Sequence, residues 1–189
     1  MELIQPQSKV GMMGRYLTGV RGIVIFAVLQ SMLASLKIPL GFTPVPLTLQ
    51  TLVLCMSIVV LRRDAFFAQI LYLVLGCFGF PAFSSAGAGA LYLFGPTGGY
   101  LVGFVVAAGI CGLCADRFDI SRIYVRLALF VTATAIVYVC GIVWLMQNYS
   151  LAYPQALTLG MYPFIPGDII KILAAITITA PLLPLVKNT

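Results

Sequence analysis

Six times along this chain, charge all but disappears over a stretch long enough, or nearly so, to cross a lipid bilayer. A spanning α-helix needs about 20 predominantly apolar residues to cover a hydrocarbon core of about 30 Å. The apolar runs cover approximately residues 17–36, 48–61, 65–80, 96–115, 123–146 and 167–186. The second is short for a full span. Of 189 residues 61% are hydrophobic and 8% charged, with a mean hydropathy of +1.08; a soluble domain carries about 25% charged residues. A 20.3 kDa globule has too little interior to hide that much apolar surface from water. A soluble enzyme, a secreted disulfide scaffold and a disordered tail are thereby excluded. The sequence predicts an all-α membrane protein: six transmembrane helices in one domain over residues 1–189, with the lipid bilayer as solvent.

Charge placement suggests an orientation. Eleven Lys and Arg against five Asp and Glu give a net charge of +6. Nucleic-acid binding would need those cations clustered on a solvated face, whereas they sit in small groups between apolar runs, so no nucleic-acid partner is expected. Placing the N-terminus inside puts Lys9, Arg15, Arg21, Arg62, Arg63, Arg117, Arg122, Arg126 and Lys187 on the cytoplasmic side. Only Lys37 is then outside, with Lys171 inside the last span. This follows the positive-inside rule and predicts a multi-pass protein of the cytoplasmic (inner) membrane with both termini cytoplasmic. The acids Glu2, Asp64, Asp116 and Asp119 sort to the same side; Asp168 does not. The first apolar run lacks a small-residue cleavage site and reads as a span rather than a signal peptide.

The inventory of reactive groups is thin. There is no histidine, which removes His-based nucleophile activation, metal ligation and proton relay. Cys55, Cys77, Cys111, Cys114 and Cys140 lie in apolar surroundings, where cysteine behaves as a small hydrophobe. The single C-x-x-C of Cys111 and Cys114 falls short of a zinc site. No metal, cofactor or catalytic residue is expected.

Pro and Gly punctuate the spans. Pro39, Pro44 and Pro46 interrupt the first connection, Pro81 is expected to stop the third helix, and Pro96 to open the fourth from its first turn. Residues 148–166 are too apolar for an ordinary solvated loop and predict a short helix or lid across the outer membrane face. Gly95, Gly99, Gly103, Ala107, Cys111 and Ala115 recur at a spacing of four, a stripe that lets helices approach closely in lipid; packing within the bundle explains it best. Ala27, Ser31 and Ser35 form a shorter stripe on the first helix, equally suited to bundle packing or to contact with another subunit. The uncharged segment 81–95 contains three glycines and reads as a loop folding over a cavity. Ser84, Ser85 and Tyr92 are its only side-chain hydrogen-bonding groups.

Asp168 and Lys171 are the exception to the sorting of charge. Their i, i+3 spacing puts them on one helical face. The helix dipole favours an acid in the first turn and disfavours a base there. Ionisable groups in a membrane segment usually face a bundle interior or a polar cavity. An internal salt bridge, or a lysine snorkelling to the surface, would account for the pair in structural terms. A small polar ligand accounts for it functionally, presenting N–H donors to Asp168 and a carbonyl or carboxylate to Lys171.

Three segments in this order, P-V-P-L-T-L-Q-T-L (44–52), F-G-P-T-G-G-Y-L-V-G-F (94–104) and P-F-I-P-G-D-I-I-K (163–171), resemble the biotin transporter BioY family. Its members are the biotin-specific S components of energy-coupling factor (ECF) transporters. The resemblance runs from the first helix to the last. It implies a six-helix S-component bundle with an outer biotin site capped by loops, and delivery of biotin by docking on an ECF transmembrane subunit driven by two ATPase subunits. The chain has no G-x-x-x-x-G-K-[ST] phosphate loop, so ATP hydrolysis would belong to those partners. Carried over by motif, Asp168 and Lys171 match the family's ligand-binding pair, and Thr48 and Gln50 the polar positions of the first-loop motif. Where the family often has an asparagine and an arginine, this chain has Ser84 and Ser85 and no nearby base. Tyr92, Tyr100, Tyr162 and Phe164 are candidates for apolar walls. An S component for another vitamin, or a membrane assembly protein, is the alternative; the latter gives no reason for Asp168 and Lys171. A membrane enzyme lacks the acid–base residues it would need.

Overall fold

A computed structural model describes residues 17–84 and 87–186 of the chain. Eight α-helices are present among them. They are α1 (Gly19–Ser35), α2 (Gln50–Leu61), α3 (Ala65–Cys77), α4 (Gly98–Arg117), α5 (Ile123–Tyr149), α6 (Tyr153–Gly160), α7 (Ile165–Thr179) and the short α8 (Leu183–Val186). The six long ones form the helical bundle.

Solvent chemistry explains which faces are buried. On α1, Val20, Val24, Val28 and Met32 point away from the protein; on α7, Ile169, Ile170 and Leu173 do the same. In water these would form a large aggregation-prone patch; in lipid they are the solvated face. Among the described residues, Gly98–Arg117, Ile123–Tyr149 and Ile165–Val186 are long and apolar enough to cross a membrane.

The short α2 solves its length problem by being surrounded. Nine of its 12 residues are buried, and it packs against α1, α4 and α7, so little of it needs to match the bilayer. It turns into α3 through a 3-10 turn, Arg62–Asp64, where Arg62 takes a φ of 54°. Both arginines approach Asp116 at the end of α4, at 3.9 and 4.0 Å.

Helices α4 and α5 meet along the small-residue stripe, as its spacing suggested. A Cβ on Gly99 would lie 2.2 Å from Trp144 Cβ and 2.6 Å from the Cys140 carbonyl oxygen, so only glycine permits this approach. Cys111 is buried and Cys114 half-buried, both as free thiols. The loop between α4 and α5 is self-bonded. Asp119 accepts from the Ser121 hydroxyl at 2.6 Å and from Arg122 Nε at 3.1 Å, and these donors, Ser121 first, hold its carboxyl below the usual carboxylate range.

Several local expectations change. Lys37–Ile38 and Leu47–Thr48 form a two-stranded antiparallel ribbon between α1 and α2, so residue 48 belongs to a strand and the helix begins at Gln50. The third helix ends at Cys77, four residues before Pro81, because Gly79 takes a φ of 98° that terminates it. Pro96 lies outside α4, whose N-cap is Thr97. The last helix starts at Ile165 and passes at Ala180–Leu182 into a 3-10 turn containing Pro181. The segment after α5 contains a short helix, α6. It is tied down by Thr43 Oγ1 donating to the Leu159 carbonyl at 2.6 Å and by Tyr100 OH donating to the Gly160 carbonyl at 2.8 Å.

Candidate ligand site

The first turns of α7 build the floor of the site. Asp168, Lys171, Ala175 and Thr179 are the buried residues of this helix, one stripe facing α2 and α5, while the isoleucines at 169 and 170 turn outward. Asp168 is 5% exposed and Lys171 8%, so neither charge is hydrated as it would be at a surface. Lys171 Nζ donates to Asp168 Oδ1 at 2.7 Å. Thr51 Oγ1, in the first turn of α2, donates to the same oxygen at 2.9 Å. Tyr138 on α5 donates its hydroxyl to Oδ2 in a short hydrogen bond. Three elements therefore converge on one carboxylate, which has roughly four acceptor positions and so retains capacity for a ligand donor. Among the described residues Lys171 bonds only Asp168, leaving two of its three N–H groups.

Above this pair lies a cavity between α2, α4, α5 and α7. Asp168, Lys171, Thr51 and Tyr138 line its polar part; Leu101, Phe104, Val137 and Phe164 supply apolar wall. Thr48 and Gln50 also line it, joined in a chain: Thr48 Oγ1 donates to Gln50 Oε1 at 3.1 Å, and Gln50 Nε2 donates to Tyr72 OH at 2.8 Å. Tyr72 meets Phe83 edge-on at 5.7 Å, and Phe83 stacks on Tyr92 at 4.9 Å. Polar and aromatic contacts thus connect Thr48 and Gln50 to the 81–95 loop.

Of the residues singled out from sequence, the structure gathers Thr48, Gln50, Ser84, Tyr92, Tyr100, Asp168 and Lys171 around this one cavity. Tyr92 and Tyr100 contribute their rings, because their hydroxyls are committed to the carbonyls of Ser84 and Gly160. Ser85 lies outside the described residues. Tyr162 is 52% exposed and does not line the cavity, whereas Phe164 does. Thr51 and Tyr138 were not anticipated; their signal is one of position, Thr51 following Gln50 directly and Tyr138 standing one helical turn after Thr134. On α1, Ala27 is fully buried, Ser31 is half-buried and donates to the Ala27 carbonyl, and Ser35 is exposed. Contact with another subunit through this stripe would therefore fall to Ser31 and Ser35.

The chain matches the BioY family over residues 10–188. It is 38% identical over 152 residues to the biotin transporter BioY of Thermotoga maritima, covering 80% of this chain and 87% of that protein. It is 36% identical to the biotin transporter BioY2 of Lactococcus lactis, covering 79% and 81% of the two chains. A crystal structure of the S-component for biotin from an ECF-type ABC transporter superposes with a TM-score of 0.77 over 94% of each chain, at 22% identity. The helix bundle is thus the S-component fold, and the chain is a membrane protein belonging to the BioY family.

Proposed function

We propose that this protein is the substrate-binding subunit of a biotin uptake system, a single membrane-embedded domain over residues 1–189 that is itself not an enzyme. The observation that carries this reading is the buried Asp168–Lys171 pair facing a mostly apolar cavity. Biotin's ureido ring offers N–H donors to the Asp168 carboxylate and a carbonyl to the spare N–H groups of Lys171. Its thiolane ring is apolar and fits beside Phe104, Val137 and Phe164. Family membership and the names of its relatives support the same ligand.

Without a phosphate-loop motif, ATP hydrolysis falls to partners: an ECF transmembrane subunit with its ATPase subunits, approached through the outward side of α1 with Ser31 and Ser35. The basic residues support an orientation in the inner membrane. Arg62 and Arg63 sit with Thr18 and Val186 at the end that would be cytoplasmic, and the ribbon carrying Lys37 and the cavity would then lie at the outer face.

The test is equilibrium binding of radiolabelled biotin to the purified protein, with biotin, thiamin and riboflavin as competitors. Biotin alone should displace the label, and Asp168→Asn and Lys171→Ala should each abolish tight binding in protein that still elutes as a folded species. Displacement by thiamin or riboflavin would overturn the ligand. Undiminished binding by both variants would overturn the site.

A further inference from the structure

The cavity has a neighbour. A second chamber is lined by Lys37, Leu40, Thr43 and Gly95 among others, and it shares Pro46, Ser84, Tyr92 and Thr97 with the first. The ribbon puts Lys37 there. Lys37 pairs with Thr48 across its two strands, and directly opposed residues of an antiparallel pair hold their side chains on the same face, with Cβ atoms about 4.5–5.5 Å apart. Thr48 lines the first chamber and Lys37 the second, so the ribbon spans the junction.

Ser84 marks the same junction from the other side. It is 4% exposed, and among the described residues its Oγ has no hydrogen-bond partner, although buried hydroxyls are nearly always satisfied. The serine is held in place: its carbonyl accepts from Tyr92 OH at 3.0 Å. The Tyr92 ring fits only because residue 87 is glycine, where a Cβ would come within 2.3 Å of that ring. A fixed, buried donor that shares a chamber with a lysine is a pairing suited to an anion.

Resting on the biotin reading, the remaining part of the ligand is an aliphatic tail ending in a carboxylate. Among the described residues that line the first chamber, Lys171 is the only cation, and it already neutralises Asp168. We propose that the second chamber is the carboxylate subsite, with the Lys37 ammonium as the group that recognises the charge and Ser84 Oγ–H as a hydrogen-bond donor to it. The subsite makes the protein selective for the free acid. Ligands whose carboxyl is esterified or amidated keep the ring contacts and lose the charge that Lys37 reads.

The experiment compares biotin with biotin methyl ester, both by competition against radiolabelled biotin on the purified full chain. Wild-type protein should prefer the acid by roughly tenfold, equivalent to about 1.4 kcal/mol, and the preference should shrink in high salt because Lys37 is exposed. Lys37→Gln should weaken acid binding by about tenfold and leave the ester within about twofold; Lys37→Arg should keep the preference. Ser84→Ala should move the ratio the same way by a smaller factor. A wild-type ratio near one, or a ratio unchanged by Lys37→Gln, overturns the subsite while Asp168-dependent biotin binding persists. Failure of the wild-type protein to bind biotin at all overturns the ligand itself.

Discussion

Replacing Asp168 with asparagine exchanges one oxygen for nitrogen, keeps the shape of the side chain and removes its charge. The carboxylate now receives Lys171 at 2.7 Å, Thr51 at 2.9 Å and the Tyr138 hydroxyl. Thr51 can still donate to an amide oxygen in the place of Oδ1, and the Tyr138 hydroxyl can turn to accept from the new NH2 in the place of Oδ2. Lys171, 8% exposed, would be left as a cation without a counter-charge in an apolar interior. Breaking a buried pair from one side costs about 3–5 kcal/mol. At about 2–4 °C per kcal/mol for a chain of this length, the unfolding midpoint falls by roughly 6–20 °C. Removing the stranded ammonium too, as Asp168→Asn/Lys171→Met, should recover most of that loss, since a neutral pair of similar volume replaces an ionic one. Biotin binding should not recover, because the charged acceptor that strengthens a ligand N–H bond is gone. The single tryptophan, Trp144, is a convenient probe: its indole donates to the Gly95 carbonyl at 3.0 Å and packs on Gly99. Its fluorescence can follow melting in detergent with and without biotin, where ligand stabilisation grows with the ratio of concentration to Kd. A double variant that melts as low as Asp168→Asn, or a single variant that melts with the wild type, refutes the reasoning.

Two further outcomes follow from the packing. Tyr100→Phe leaves the Gly160 carbonyl without its donor and loosens α6, at about 1–2 kcal/mol; the dissociation rate of radiolabelled biotin in a chase should rise severalfold, and an unchanged rate would show that α6 does not help close the site. Gly99→Ala forces a Cβ to 2.2 Å from Trp144, so overpacking should cost upwards of about 1–3 kcal/mol; a wild-type melting curve would contradict the close α4–α5 contact.

What could be read from sequence depended on how expensive each residue is in lipid. Asp168 and Lys171 stood out because charge within an apolar run is costly and needs a reason. Thr51 and Tyr138, which complete the carboxylate's surroundings, are cheap there; threonine can bond its own helix backbone and tyrosine often serves as an interfacial anchor. The helices themselves were visible from apolar length, and the brevity of the second span had a physical meaning: α2 is enclosed by other helices. Their ends were less legible. The third stops at the conformation of Gly79 rather than at the more conspicuous Pro81, and a ribbon of two residues per strand has no periodicity to detect. Tyr162 shows the limit of proximity, since only Pro163 separates it from the buried Phe164 and yet it faces outward.

The bonds among Thr48, Gln50 and Tyr72, and those gathered on Asp168, hold the polar side chains of the cavity through contacts of the protein's own making. Immobilising a flexible side chain on association costs about 0.5–1.5 kcal/mol, and here that loss of freedom has already occurred during folding. The wall behaves as a stiff mould. A solute that complements it gains nearly the full strength of each contact, and one that does not finds little slack to adapt to. Rigidity of this kind makes discrimination a matter of fit.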